Sequence, residues 1–114
     1  MSELIYLASP YSHLDESVRE RRFQRACEAS AVLMWQGLFV FSPIAHSHPI
    51  ALTGGLPLGF DYWKKYDEII LGSCDVLIIL MLEGWKDSIG IKGEMCMARN
   101  LHKPIFYMRD ITNK

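Results

Sequence analysis

The stretch "CDVLIILML", residues 74–82, decides how this chain is built. From Val76 onward it carries no charge, yet it is far too short to span a bilayer, which takes about 20 apolar residues. A strand with one wet face alternates polar and apolar residues, whereas a strand covered on both faces reads as an unbroken run. Three further runs have the same character: "LIYLAS" (residues 4–9, closed by Pro10), "LFVFS" (38–42) and "PIFYM" (104–108). Helical patterns fill the gaps, over residues 15–36, 60–72 and 89–102. In the first of them Phe23, Ala26, Cys27, Ala31 and Met34 recur at helical spacing, Arg19, Arg22 and Arg25 occupy other faces, and Gly37 supplies the stop. The segment "PIAHSHPIALTGGLPLG" (43–59) reads as a long loop rich in Pro and Gly, with at most a short turn of helix. Loops of that length in compact domains are usually functional or disordered.

Buried strands alternating with helices predict an α/β fold. It is a single-domain three-layer sandwich over residues 1–114, with a four- to five-strand parallel sheet in a flavodoxin- or Rossmann-like order. Such sheets bind ligands at the carboxyl ends of their strands. Those ends are "SPYSH", "SPIAHSH" and "EGWKDS", where polar and aromatic residues gather.

Composition narrows the function classes. Half of the 114 residues are apolar and 22% are charged, the balance of a folded globular chain. A net charge of -1 gives no basic field to attract nucleic acid or a membrane surface. Cys27, Cys74 and Cys96 fall at no metal-ligand spacing and form no even disulfide set, which suits a reducing cytoplasm. "MSELIYLAS" has no basic region before its apolar run, so it does not read as a signal peptide.

Two carboxylates stand where apolar residues belong. Ile91, Glu94, Met95, Ala98 and Leu101 share one face of the third helix, and Phe60, Trp63, Asp67, Ile70, Leu71 and Cys74 share one face of the second. An inward carboxylate is costly unless something satisfies or uses it. One reading makes Glu94 and Asp67 satisfied partners of an arginine or a backbone amide. The other makes them a cleft pair, one a nucleophile and one a proton carrier. Gly90 and Gly93, each costing a helix about 1 kcal/mol against alanine, favour the second by letting a ligand approach.

The motifs "IYLASPY", "YDEIILGSCDVLIIL" and "DSIGIKGEMCMA" resemble the nucleoside 2-deoxyribosyltransferase superfamily, which includes the 2'-deoxynucleoside 5'-phosphate N-hydrolases. "FSPIAHSHPIA", "GW" and "SIGIKGE" resemble more narrowly a small bacterial and phage family placed in that superfamily. The likeness covers almost the whole chain. Ser88, Gly90 and Glu94 match the superfamily's pattern around its nucleophile, with Ala98 in the alanine place. The resemblance implies that Glu94 attacks the anomeric carbon of a nucleoside or nucleotide, that Asp67 assists the leaving base, and that Tyr6 orients Glu94. Chemistry of that kind needs no cofactor and no metal. The resemblance places Ser88 where the transferases have aspartate and the monophosphate hydrolases a phosphate-touching serine, with Asp87 adjacent and able to substitute.

Further candidates to contact substrate are Ser9 and Tyr11 after the first strand, and Trp63 and Trp85 as aromatic walls for a base. Phe41 fits core packing better. His46 and His48 could bind metal if extended, and with Asp61 they make a metal-dependent hydrolase a third possibility. In a Pro-flanked loop, one of them lining the pocket is the better reading. Arg19 and Arg22 could reach a 5'-phosphate or could form a solvated face. A non-catalytic nucleotide-binding module is the rival from another class, though it has no need of an inward Glu94.

Three departures from the superfamily pattern stand out. The loop after the second strand is long and His-bearing, "SPYSHLD" replaces the Gly-rich phosphate loop, and little tail follows the fourth strand to complete a neighbour's site. Phe39, Trp35, Leu52, Leu56, Leu58 and Met97 have no obvious place on the buried stripes. That surplus predicts a homodimer or homotetramer built on the first and second helices.

Overall fold

A computed structural model describes residues 3–110. The decisive apolar run forms the inner strand β3 (Val76–Met81), with β1 (Leu4–Ala8) on one side and β4 (Ile105–Arg109) on the other. A short strand β2 (Phe39–Phe41) lies beyond β1. The order is β2-β1-β3-β4 and every pairing is parallel, Tyr6 standing opposite Leu77 and Ile79 opposite Tyr107.

Four helices complete the architecture: α1 (Glu16–Trp35), α2 (Pro43–Gly54), α3 (Phe60–Ser73) and α4 (Ile89–Asn100). Successive strand residues point to opposite faces, which separates two cores. Leu7 and Leu80 pack against Ala29 and Leu33 of α1. Tyr6, Ala8, Leu77 and Ile79 pack on the other side with Leu71 of α3 and Ile91, Met97 and Ala98 of α4. The chain is thus the three-layer α/β fold that its alternation of strands and helices implies. Connections from β1 and β3 run to opposite sides of the sheet, so the switch point of the topology lies between them. Among the described residues no helix is long and apolar enough to cross a membrane.

The structure departs from the sequence reading in several places. Most of the 43–59 segment is helical. Ser42 caps α2 by accepting the Ala45 N–H at 3.1 Å, Pro43 occupies the first turn, and Gly55, at φ 67°, ends the helix. Proline at the first position lacks only a donor that the helix would leave unpaired, so it starts helices rather than breaking them. Pro49 lies inside α2 and forgoes one hydrogen bond there. Strand β2 is an edge, not a buried strand: Phe39 is exposed and Val40 and Phe41 are half-buried.

The buried stripe of α1 is Ala26, Ala29, Ser30 and Leu33, while Ala31 and Met34 face outward. Small residues bring this helix close to the sheet, and the Ser30 hydroxyl is satisfied by the Ala26 carbonyl at 2.7 Å. Leu101, just past the end of α4, is exposed, and Met97 of α4 joins the core instead of a surplus apolar surface. The expectation about a short tail after the fourth strand concerns residues 111–114, which lie outside those described.

Gly93 has a packing role rather than the ligand-admitting one expected of it. A Cβ there would stand 2.5 Å from Cε2 and Cζ of Phe60, so the glycine lets α4 close against that ring on α3. Gly93→Ala should destabilise the fold by about 1–2 kcal/mol, the overpacking cost exceeding alanine's helix preference of about 1 kcal/mol. Adding Phe60→Leu should recover most of the loss in urea denaturation. If Gly93→Ala instead stabilises the protein, the close approach is not limiting.

Candidate functional site

A pocket of about 550 Å³, including its open mouth, lies at the carboxyl end of β1 among α2, α3 and α4. The segment after β1 contributes Ser9, Tyr11 and Ser12, and α2 contributes Pro43, Ile44, Ser47, His48 and Ala51. Leu58 precedes α3, which adds Phe60, Trp63 and Asp67, and the start of α4 supplies Ser88, Gly90 and Glu94. Two helix N-termini, those of α2 and α4, therefore border the pocket, and their exposed N–H groups favour electron-rich ligand atoms.

Glu94 and Asp67 are 4% and 6% exposed, so both carboxyls sit in the wall rather than at the rim. The Tyr6 hydroxyl, fully buried on β1, donates to Oε2 of Glu94. Burial pushes Glu94 up to about 8; the Tyr6 hydrogen bond opposes that rise and the nearby Asp67 charge adds to it. Burial alone pushes Asp67 up to about 7. Tyr6 is raised well above the usual tyrosine range, first by burial and then by the neighbouring acidic groups. Two interacting carboxyls titrate as a pair, and this pair keeps a proton near neutrality.

Two pocket-lining residues carry a buried atom without a hydrogen-bond partner, Oδ1 of Asp67 and Oγ of Ser9. Buried polar atoms are nearly always paired, so these are natural contacts for a ligand or water. Ser88 caps α4 by accepting the Ile91 N–H at 3.2 Å. Its own hydrogen remains to be donated.

Six of the expected contact residues thus meet at one pocket with the carboxyl pair, Ser9, Tyr11, His48, Trp63, Ser88 and Gly90, and Tyr6 reaches it through Glu94. Three do not. His46 stacks on Tyr66 with ring centroids 5.6 Å apart and lies 5.5 Å from Phe41, outside the pocket. Trp85 starts a single 3-10 turn (Trp85–Asp87) that carries its ring against Tyr107 at 5.7 Å. Asp87 follows it into a separate cleft.

Residues two apart on a helix leave it roughly 200° apart, so α2 separates His46 from His48 where an extended loop would have aligned them. Among the described residues no group of three His, Cys, Asp or Glu is placed to hold a metal ion. The arginines are engaged with backbone: Arg19 donates to the His13 and Leu14 carbonyls, and Arg22 to those of Ser12 and Glu83. A Cβ on Gly84, at φ 88°, would come within 2.9 Å of the Arg22 guanidinium, so this glycine admits the clamp.

Residues 3–110 match a family described as a domain of unknown function, DUF1937. The chain belongs to the DUF1937 family. Comparison with curated proteins gave no match. In this DUF1937 chain the sequence does not single out Pro43, Ile44, Ser47, Ala51 or Leu58 as pocket residues, because a loop over 43–59 has no face to assign. The helix start at Ser42-Pro43 was the available signal.

The buried pair also sets a pH dependence of stability. An unfolded glutamic acid releases its proton near 4.5, whereas folded Glu94 holds its own to about 8. Over that window the folded chain binds more protons than the unfolded one, so stability falls as pH rises. Glu94→Gln should reduce this slope to the part that Asp67 contributes, and be the more stable protein at pH 9, by up to about 5 kcal/mol. Urea denaturation at pH 5 and pH 9 measures it, and parallel slopes for the two proteins would contradict the buried acid.

Proposed function

We propose that this protein cleaves or transfers at the N-glycosidic bond of a (deoxy)nucleoside or nucleoside 5'-monophosphate, with Glu94 as nucleophile. The observation that carries the reading is the pair of buried carboxyls on adjacent helices at one pocket, one held by Tyr6 and the other with an unpartnered oxygen. The resemblance of "IYLASPY" and "DSIGIKGEMCMA" to the nucleoside 2-deoxyribosyltransferase superfamily supports the same roles.

An oxygen of Glu94 attacks the anomeric carbon, forming an ester as the N-glycosidic bond breaks. The bond pair leaves on the base nitrogen, and Asp67 gives the base a proton. Water, or the nitrogen of an acceptor base, then attacks the same carbon while the Asp67 carboxylate takes up a proton, and Glu94 is released. Two displacements retain the configuration at that carbon. This sequence needs the shared proton on Asp67. Taken singly, values near 7 and 8 would leave the last proton on Glu94. The Tyr6 hydrogen bond favours the opposite placement, and positive charge developing on a sugar over Glu94 strengthens it. Trp63 and Phe60 offer flat walls for a base.

The protein is proposed to act on this small molecule in the cytoplasm as a homodimer or homotetramer. Trp35, Phe39 and Leu52, at 90%, 57% and 53% exposure, offer apolar surface for assembly. EDTA should leave base release unchanged, because both steps use carboxyls alone. Loss on chelation with recovery in Zn²⁺ would shift the chemistry to a metal hydrolase. The direct test incubates the protein with a panel of nucleosides and 5'-monophosphates and follows free base by chromatography. Release from at least one is expected, and no release from any would overturn the reading.

A further inference from the structure

The chemistry of the carboxyl pair leaves Tyr11 and His48 without a role, although both line the pocket and are only 8% and 5% exposed. Nδ1 of His48 lies 2.5 Å from the Tyr11 hydroxyl, and its Nε2 lies 3.0 Å from Oε1 of Glu20 on α1. The Phe23 ring stacks on the imidazole with centroids 4.3 Å apart and 25° between planes, and Tyr11 meets it edge-on at 5.4 Å. These contacts fix the orientation of the histidine ring.

They also fix its tautomer. A carboxylate only accepts hydrogen bonds, so the neutral His48 ring carries its hydrogen on Nε2, facing Glu20, and leaves Nδ1 bare. The bare nitrogen takes the Tyr11 hydroxyl hydrogen. What Tyr11 then offers the pocket is a phenol oxygen with lone pairs and no hydrogen to give.

We infer that Glu20, acting through His48, fixes Tyr11 as a hydrogen-bond acceptor and makes it specificity-determining for a substrate that brings an O–H or N–H hydrogen to it. The identity of the substrate rests on the N-glycosidic reading, under which that hydrogen comes from a sugar hydroxyl or from an exocyclic amino group of the base. In either case an analogue lacking the donor leaves a buried acceptor unpaired and is rejected.

Two measurements test this separately. In the free protein, long-range ¹H–¹⁵N spectra should show His48 protonated on Nε2, and Glu20→Ala should yield a mixture of tautomers; a ring protonated on Nδ1 overturns the inference. Values of kcat/KM are then compared for 2'-deoxyadenosine, its 3'-deoxy and 5'-deoxy analogues (the sugar arm) and purine 2'-deoxyriboside (the base arm). One arm should lose about 10²-fold with the wild type, and Tyr11→Phe should bring that ratio to within about 3-fold of unity. Equal ratios in wild type and Tyr11→Phe, or no discrimination by the wild type, overturn the role of Tyr11 while base release stands. No release from any of these nucleosides overturns the N-glycosidic reading and the substrate half of the inference with it, and the His48 spectrum still decides the tautomer.

Discussion

Glu94→Gln should lower base release by about 10³-fold or more, because the amide cannot form the ester through which the proposed reaction passes. The substitution is nearly isosteric, and the glutamine carbonyl can still accept from the Tyr6 hydroxyl, so the core around α4 need not rearrange. A cooperative unfolding transition in the variant, at or above the wild-type midpoint, would separate lost chemistry from lost structure. The measurement is the initial rate of base formation from the best substrate of the panel. A variant that turned over at the wild-type rate would remove Glu94 from the chemistry. One that failed to fold would make it a structural acid bonded to Tyr6.

Asp67→Asn should cost about 10²–10⁴-fold, the range of a positioned general acid, and it should change the shape of the pH profile. In the wild type, activity should rise as the pair loses its first proton near 7 and fall as it loses the second near 8. The maximum therefore lies between those values. Asparagine does not titrate, so the falling limb should vanish. The rising limb should stay close to its wild-type position, because wild-type Asp67 still holds its proton, and so carries no charge, while Glu94 ionises. Substrates whose leaving base departs readily without protonation should lose least. An Asp67→Asn enzyme that kept the wild-type bell would show that the proton comes from elsewhere.

The framework of the fold was legible because four uncharged runs alternate with three helical patterns, which implies a parallel sheet between helices; the edge positions of β2 and β4, with Phe39, Phe106 and Tyr107 exposed, were not readable from the runs themselves. Glu94 and Asp67 were legible for a related reason: each interrupts an apolar stripe, and the interruption is visible without knowing what it meets. Segment 43–59 was misread because Pro43, Pro49, Gly54 and Gly55 argue for loop when counted, whereas Pro43 beside a Ser42 cap argues for a helix start when placed. That error hid one wall of the pocket. The Tyr11–His48–Glu20 chain was not readable, since its members come from three segments and only the packing of α1 against α2 joins them. Trp85 and Asp87 show the opposite failure, since position after β3 suggested the pocket and the turn carried both elsewhere.

The covalent chemistry proposed for Glu94 can be tested directly. The protein is mixed with a cleavable deoxynucleoside, quenched in acid within the first turnovers, digested, and its peptides mapped by mass spectrometry. A peptide bearing one added deoxyribosyl group, with fragmentation placing it on Glu94, is the expected result, and the same peptide from Glu94→Gln should be unmodified. Free base released at full rate with the sugar found on another residue would contradict the nucleophile assigned to Glu94.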